Sequence, residues 1–144
     1  MTTVRQILET KGREIWSVAP DATVYDAIKL MADKNVGALM VLEGDQLRGI
    51  ISERDYARKV ILKGKSSKET PVKEIMSTDV ITIPPERSTD ECMALMTLKR
   101  IRHLPVIERD KLLGMISIGD VIKAIISEQE FTIKQLENYI TGGR

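Results

Sequence analysis

The sequence predicts an α/β fold of the α+β kind, in which two pseudo-symmetric repeats pack sheet to sheet as one domain. Three observations lead to this prediction: an ungapped internal repeat, the same order of helix and strand patterns in both copies, and a polar connector between the copies. One copy of roughly 60 residues is marginal alone, whereas two copies can bury a common core.

The repeat aligns residues 15–61 with residues 80–126 at a constant offset of 65 positions. Each copy ends in nearly the same seven-residue phrase, which is GIISERD at Gly49–Asp55 and GMISIGD at Gly114–Asp120. A further echo lies upstream of each copy, where VRQILE (Val4–Glu9) resembles VKEIMS (Val72–Ser77). Self-similarity of this kind indicates that one structural unit occurs twice.

Each copy predicts the order helix, strand, helix, strand, strand, helix. The first helix is VRQIL or VKEIM, and the first strand is IWSVAP or VITIPP, which proline closes. The second helix starts at a Ser/Thr-x-x-acid capping box, which pairs Thr23 with Asp26 and Ser88 with Glu91. Two β runs around a polar turn follow, ALMVL–EGDQ–LRGIIS and HLPVI–ERDK–LLGMIS, and a last helix begins at the final Asp of each phrase.

These patterns divide the chain into repeat 1 (residues 4–62), a polar linker (63–71), repeat 2 (72–127) and a C-terminal helix and tail (128–144). In the tail, Ile133, Leu136 and Ile140 form an apolar stripe at helical spacing, and Gly142-Gly143 is expected to end the helix. Such a helix either covers its own core or pairs with a partner.

Composition excludes several classes of function. Lys plus Arg is 22 and Asp plus Glu is 21, so no general electrostatic attraction to nucleic acid or anionic membrane is expected. One Cys and one His cannot build a Cys/His zinc site, and no disulfide can form within the chain. Cys92 aligns with Ala27 on an apolar helix face, which favours a small core residue over a redox switch. No secretory signal or membrane-spanning run is seen, and cytoplasm is the expected location.

The seven-residue phrase has two readings that do not exclude each other. Ser-x-x-Asp is itself a capping box, so each phrase could simply start a helix. A helix N-terminus also attracts phosphate, while an Asp carboxylate suits the two adjacent hydroxyls of a ribose. A preceding Gly would let another group approach the backbone closely. The occurrence of the phrase in both copies favours a ligand site.

The ungapped repeat, the element order, the Gly-x-x-Ser-x-x-Asp phrase and RHLPVI (Arg102–Ile107) together resemble the CBS-domain family in its tandem form, the Bateman module. The resemblance covers the chain from Val4 to Ile126 and is of the stand-alone two-CBS type. It implies a pseudo-symmetric disc with two clefts that bind adenosine-containing ligands such as AMP, ATP, NAD or S-adenosylmethionine. It also implies a homodimer, because tandem CBS discs commonly associate through their helices.

The resemblance also implies which residues would touch the ligand. The motif Asp takes the ribose hydroxyls and the motif Ser contacts the ribose-phosphate region. The matching positions are Ser52, Asp55, Ser117 and Asp120, and the positions matching the family's adenine pocket are Ile15, Val80, Met40 and Pro105, with Met40 in place of a proline.

Four basic residues are candidates for a ligand phosphate. Arg102 and His103 precede the Leu-Pro-Val strand, and an Arg suits phosphate through its bidentate fork. Their alternative role is a solvated strand end, or, for His103, packing in an interface. Arg54 and Arg58 stand four residues apart in and after the first phrase, where a solvated helix face is the alternative.

Taken together, these features predict a non-catalytic regulatory module that reports an energy or redox state to an unknown partner protein. The alternative is a structural dimerisation module with vestigial ligand clefts. No nucleophile elbow, P-loop or metal constellation points to an enzyme, and no catalytic cofactor is expected. Nucleic acid and membrane are not expected as partners.

Overall fold

The computed structural model describes residues 1–141. The chain forms two compact units. We name the units by their place along the chain. The outer unit is Met1–Glu14 together with Thr82–Arg144, and the middle unit is Ile15–Ile81. The elements in chain order are α1 (Val4–Lys11), β1 (Ser17–Val18), α2 (Val24–Lys34), β2 (Ala38–Glu43), β3 (Gln46–Ser52), α3 (Glu53–Tyr56), α4 (Thr89–Lys99), β4 (His103–Glu108), β5 (Lys111–Ser117) and α5 (Ile118–Ile140). A π-helical segment, Ala57–Ile61, follows α3, and a 3-10 turn spans Val72–Glu74. The mixed α/β class predicted from the sequence is confirmed.

The middle unit contains a three-stranded sheet in the order β1-β2-β3. β1 pairs with β2 in parallel, and β2 pairs with β3 antiparallel. Helix α2 places Val24, Ala27 and Met31 in a buried cluster with strand residues such as Leu39 and Ile51. The i, i+3, i+7 spacing of the helical residues is the amphipathic pattern read from the sequence, so this face was correctly predicted.

The outer unit contains the antiparallel pair β4-β5 with helices α1, α4 and α5. The predicted strand VITIPP does not form. Ile83 alone bridges to Val106, donating to the carbonyl of Pro105 and accepting from the N–H of Ile107. The ladder cannot extend in either direction, because the opposing Pro105 has no N–H to donate to the chain before Ile83, and Pro85 has none to donate after it.

Helix α1 belongs to the outer unit, so the compact units cut across the repeats defined by sequence. Val4, Ile7 and Leu8 are buried, and α1 contacts β5 and α5. The backbone N–H of Val4 donates to the carbonyl of Arg87 at 2.9 Å. The N-terminal segment of the first repeat therefore packs with the strands and helices of the second.

The equivalent segment of the second repeat packs in the middle unit, but it does not form the predicted helix. VKEIM gives only the 3-10 turn Val72–Glu74. The N–H groups of Val72 and Lys73 donate to the carbonyls of Ala22 and Pro20, and Ser77 bridges to Ile50 through two backbone hydrogen bonds. These tertiary bonds hold the ends of the segment extended and leave too few residues for an α-helix.

The caps of α2 and α4 form only in part. Thr23 and Ser88 each accept from the N–H three residues on, as expected of an N-cap. Neither acid completes a reciprocal box. Glu91 accepts from the Arg87 guanidinium at 2.8 Å and from the Ser88 hydroxyl at 3.4 Å. The sequence pattern therefore located both helix starts correctly and overstated the cap.

The predicted last helix and the predicted tail helix are one continuous helix, α5, of 23 residues. No Gly or Pro lies between Asp120 and Ile140 to interrupt it. Helices α3 and α5 begin directly after the motif Ser, two residues before the predicted start at the motif Asp. The expected Gly142-Gly143 stop lies outside the described residues.

Candidate functional site

The motif of the second repeat joins strand β5 to helix α5 in the outer unit. The N–H of Asp120 donates to Ser117 Oγ at 3.2 Å, and the N–H of Ser117 donates to Asp120 Oδ2 at 2.8 Å. The N–H of Ile118 donates to the carbonyl of Arg102 at 2.8 Å, which ties the helix start to the strand start of β4. The capping box therefore exists as predicted, and it orients the carboxylate at the N-terminus of a long helix.

An ammonium group lies on this carboxylate. Lys11 Nζ, from α1, lies 2.7 Å from Asp120 Oδ2 and 2.7 Å from the carbonyl oxygen of Met115. Burial opposes ionisation of Asp120, but the hydrogen bonds from Lys11 and from the N–H of Ser117 outweigh it, so the pKa of Asp120 is lowered. The carboxylate is therefore ionised at neutral pH and carries a bound cation.

His103 lies beside this site without a charge of its own. It pairs in register with Ser117 across β4 and β5. Burial, followed by the nearby charge of Lys11, lowers the pKa of His103 to about 4, although Asp120 acts in the opposite direction. At neutral pH the ring can give a hydrogen bond but no positive charge. The cationic contribution here belongs to Lys11 and to the exposed Arg102.

The motif of the first repeat has the same geometry in the middle unit. The N–H of Asp55 donates to Ser52 Oγ at 3.2 Å, and Asp55 Oδ2 accepts from the N–H of Ser52 at 3.0 Å and from its hydroxyl at 3.1 Å. The N–H of Glu53 donates to the carbonyl of Gly37 at 3.1 Å, the counterpart of the bond in the second repeat. Asp55 is 9% exposed. Both carboxylates are thus fixed by the same local chemistry.

This carboxylate also carries an ammonium, which comes from a different place in the chain. Lys59 Nζ lies 3.2 Å from Asp55 Oδ1 and donates to the carbonyl of Ile75 at 2.9 Å. In both copies, one lysine bridges the motif Asp to a backbone carbonyl. Lys11 and Lys59 do not correspond in the repeat, so two unrelated positions supply the same contact.

Two predicted arginines follow the first motif. Arg54 and Arg58 are both exposed. Arg54 lies in α3, whereas Arg58 lies in the π-helical segment, where the hydrogen bonds close five residues apart. The wider turn rotates later residues away from ideal α-helical spacing, so the shared face expected for i and i+4 residues is not strictly kept.

The residues predicted for adenine contact divide between the units. Met40 is 1% exposed in the centre of β2, and its N–H donates to the carbonyl of Trp16, next to Ile15. Val80 lies in the same unit and is partly buried. Pro105 lies in the outer unit, is buried in β4 and pairs with Met115. Met40 and Pro105 therefore occupy matched strand positions, each within its own unit.

The motif glycines are explained by packing within the protein. A Cβ on Gly49 would lie 2.7 Å from the carbonyl oxygen of Ser77 and 2.8 Å from Met76 Sδ, and a Cβ on Gly114 would lie 3.0 Å from Leu8 Cδ2. Leu8 and Met76 are matched residues of the two upstream echoes. The close approach expected of a ligand is in fact made by the upstream segment of the opposite repeat.

Sequence reasoning missed both lysines. Lys59 had a readable signal, because it stands four residues after Asp55 on a predicted helix. Lys11 had none, since 109 positions separate it from Asp120. Among residues 1–141, no group of three or more His, Cys, Asp or Glu side chains is placed to hold a metal ion. No helix in the same range is long and apolar enough to cross a membrane.

Comparison with known proteins agrees with this geometry. The family model for the CBS domain matches residues 4–62 and 72–127. The chain therefore belongs to the CBS-domain family, whose stand-alone members are regulatory modules and typically bind ligands.

Three relatives illustrate the range of similarity. The CBS domain-containing protein CBSX3, mitochondrial, of Arabidopsis thaliana is 45% identical over 152 residues, which cover 99% of this chain and 73% of the relative. A solved CBS-domain protein from Burkholderia ambifaria is 56% identical with a TM-score of 0.86, covering 89% of this chain and 96% of that one. The hexameric CBS-CP12 protein from bloom-forming cyanobacteria is 33% identical with a TM-score of 0.74, covering 85% of this chain and 70% of that one.

Proposed function

We propose that this protein is a non-catalytic regulatory module that binds adenosine-containing ligands of the AMP, ATP or NAD class at its two motifs. The observation behind the proposal is that each motif holds a carboxylate at a helix N-terminus with a lysine ammonium on it. A carboxylate suits the vicinal hydroxyls of a ribose, and an ammonium suits a phosphate. Ligand binding then alters the protein surface that a regulated partner recognises.

In this proposal, ribose binding changes the partners of the motif carboxylate. The ribose hydroxyls share or replace the contact that Lys11 makes with Asp120, and the released ammonium turns to the phosphate. In the middle unit, Lys59 has the same role on Asp55. Ser52 and Ser117 keep the carboxylates oriented, because their hydroxyls accept from the N–H of the motif Asp.

The two motifs differ in their surroundings, so we expect them to prefer different ligands. The second motif has Arg102 and a neutral His103 at the strand start, where the first has Gly37 and Ala38. Arg54 and Arg58 flank the first motif instead. A phosphate-rich ligand at one motif and a less charged ligand at the other would follow from this difference. Arg102→Ala should then weaken a nucleotide much more than adenosine.

The test is a thermal-stability panel with adenosine, AMP, ATP, NAD, NADH and S-adenosylmethionine, with GTP as the control. A ligand at about 100 times its dissociation constant adds roughly 2.7 kcal/mol. That corresponds to a rise in Tm of about 5–10 °C for a domain of this size. Nucleotide-free protein is essential for this test, because a co-purified ligand would hide the response.

Asp55→Asn and Asp120→Asn identify the motif responsible. Each Asn keeps an oxygen for the Ser N–H but removes the charge that binds Lys59 or Lys11. Ser88→Ala is the matched control, because it removes a helix cap with no motif Asp. Shifts that disappear in the Asn variants and persist in Ser88→Ala support ligand sensing. A flat response in the wild-type protein refutes it.

The second candidate is an assembly module with vestigial ligand sites, and one observation favours it. The C-terminal part of α5 exposes several large apolar side chains, including Ile133, Leu136 and Ile140. A homodimer would cover such residues. A flat ligand panel together with a stable dimer would support this candidate over ligand sensing.

We propose a cytoplasmic location for this protein, which is the location expected from the sequence. The name of the Arabidopsis relative places that protein in mitochondria. Fractionation of cells that express the native protein distinguishes the two compartments.

A further inference from the structure

Helix α5 carries an apolar stripe that the rest of the outer unit leaves uncovered. The residues of this stripe follow each other at intervals of 4, 3, 4, 3 and 4: Ile122, Ile126, Gln129, Ile133, Leu136 and Ile140. Its five apolar members are 43%, 49%, 55%, 57% and 81% exposed in that order. Alternating intervals of four and three are the heptad pattern by which two α-helices pack together.

The helix extends well beyond the part that the outer unit supports. Its buried residue is Val121, and from Gln129 to Ile140 every side chain except the half-buried Asn138 is exposed. An isolated helix as short as this exposed 12-residue part is marginal in water. β-branched and aromatic residues such as Thr132, Ile133 and Tyr139 weaken it further. A second helix packed on the stripe would supply the missing stabilisation. The CBS family match ends at residue 127, so most of the stripe is additional to the family fold.

The spacing of the stripe is palindromic, which favours another copy of this chain as the occupant. Read from either end, the intervals are 4, 3, 4, 3 and 4. When two copies of α5 run antiparallel about a two-fold axis near residue 131, each stripe residue meets a stripe residue. Ile122 then faces Ile140, Ile126 faces Leu136, and the polar Gln129 faces Ile133. The stripe spans about 27 Å along the helix, at 1.5 Å per residue.

The charges beside the stripe agree with the antiparallel arrangement. Lys123, Glu130 and Glu137 lie along one flank at heptad spacing. In an antiparallel pair the same flanks meet, so Lys123 of each copy lies next to Glu137 of the other, twice per dimer. Glu130 lies next to Glu130 of the other copy near the axis, and this like-charge contact offsets part of the stabilisation. Lys134, one turn later on the same helix, reduces that repulsion. In a parallel pair these residues would face the uncharged Ile125 and Thr132, and no opposite charges would pair.

We infer that the α5 stripe is the contact between two copies of this chain, packed as an antiparallel helix pair. This inference rests on the homodimer that the CBS resemblance implies and is independent of ligand binding. The axial Gln129 facing Ile133 would set the register, since a polar residue in such a seam is tolerated at few positions.

Disulfide trapping tests the orientation. Gln129→Cys and Ile133→Cys proteins are mixed, with one carrying a size tag, and the native Cys92 stays in place because it is fully buried. The antiparallel pair gives predominantly tagged-to-untagged disulfides between positions 129 and 133. A parallel pair gives disulfides only within each variant and overturns the inference. Phe131→Cys is the control, because it lies at the same level of the helix on the opposite face.

Light scattering of the full chain tests the surface. The wild-type mass should be twice the 16.2 kDa of one chain. Leu136→Lys should raise the dimer dissociation constant by at least about 100-fold, the effect of losing one hot-spot side chain per copy. Phe131→Lys should leave it unchanged, and Glu130→Gln should lower it by removing the like-charge contact. A dimer that survives Leu136→Lys overturns the inference and leaves the homodimer standing, whereas a wild-type monomer across the micromolar range refutes both.

Discussion

The matched motif glycines allow a direct test of how the upstream segments pack. Gly49 and Gly114 occupy the same position of the repeat, and neither has a positive φ, so Ala is compatible with both backbones. We predict that Gly49→Ala is strongly destabilising and that Gly114→Ala is nearly neutral. The difference comes from what each new methyl group would meet.

At Gly49 the methyl group would meet atoms that cannot move easily. It would lie 2.7 Å from the carbonyl oxygen of Ser77, and that carbonyl accepts from the N–H of Ile50 at 3.0 Å. The N–H of Ser77 donates back to the carbonyl of Ile50 at 2.8 Å. Overpacking costs about 1–3 kcal/mol, and weakening the two hydrogen bonds adds about 1 kcal/mol. The reduced freedom of the unfolded chain offsets about 0.4–1 kcal/mol, so the net cost is about 1–3.6 kcal/mol.

At Gly114 the methyl group would meet only the end of one flexible side chain. Leu8 Cδ2 would lie 3.0 Å away and Cδ1 3.8 Å away. A small rotation of Leu8 relieves this contact at a cost of about 1 kcal/mol or less, which the unfolded-state gain of about 0.4–1 kcal/mol offsets.

Urea denaturation measures both variants, with attention to which unit unfolds. Trp16, the only Trp of the chain, lies in the middle unit, so its fluorescence reports the unit that contains Gly49. Far-UV circular dichroism reports the helices of both units. The variants should differ by about 2 kcal/mol in free energy of unfolding at an unchanged m-value. Equal losses would refute the argument that a backbone carbonyl, rather than the glycine itself, determines the cost.

Four further predictions follow from the structure. The pKa of His103 is about 4 in the folded protein and 6.5 in the unfolded chain, so the unfolded chain binds more protons between pH 4 and 6.5. The free energy of unfolding should therefore rise by about 3 kcal/mol as pH increases through this window. His103→Gln should flatten this rise in thermal melts recorded at a series of pH values. Burial raises the pKa of Cys92 to about 11, so Ellman's reagent should react with it only at the rate of unfolding, and fast labelling of native protein would contradict its core position. Leu8→Ala should cost about 2–5 kcal/mol in chemical denaturation, because the side chain is 1% exposed, and a loss below 1 kcal/mol would show that α1 is not part of the outer unit's core. Lys11→Met frees the Asp120 carboxylate and removes a cation, so calorimetry should show tighter adenosine binding and weaker AMP binding; parallel changes for both ligands would argue against its contact with phosphate.

Local patterns predicted the features whose causes are local. The strands β2 to β5 and the Ser-Asp capping boxes could be read from spacing alone, because each depends on residues within a few positions of one another. The repeat follows from matching such local patterns at an offset of 65 positions. The patterns failed where distant chain segments compete for the backbone. The helix expected at VKEIM became the 3-10 turn Val72–Glu74 because its N–H groups bond to carbonyls some 50 positions earlier. The strand expected at VITIPP failed for another reason: it was reduced to one bridge because prolines, which have no N–H, stop its ladder.

The sequence by itself determined that the motif carboxylates stand at helix starts, since serine and aspartate three residues apart satisfy each other's N–H groups in either copy. It also determined the spacing of the α5 stripe. Only the tertiary structure decided which groups surround those carboxylates. Lys11 reaches Asp120 because α1 packs with the second repeat, and His103 loses its charge because burial in the same unit disfavours the protonated ring. Charge and access at a site depend on neighbours brought together by folding, and sequence spacing carries no information about those neighbours.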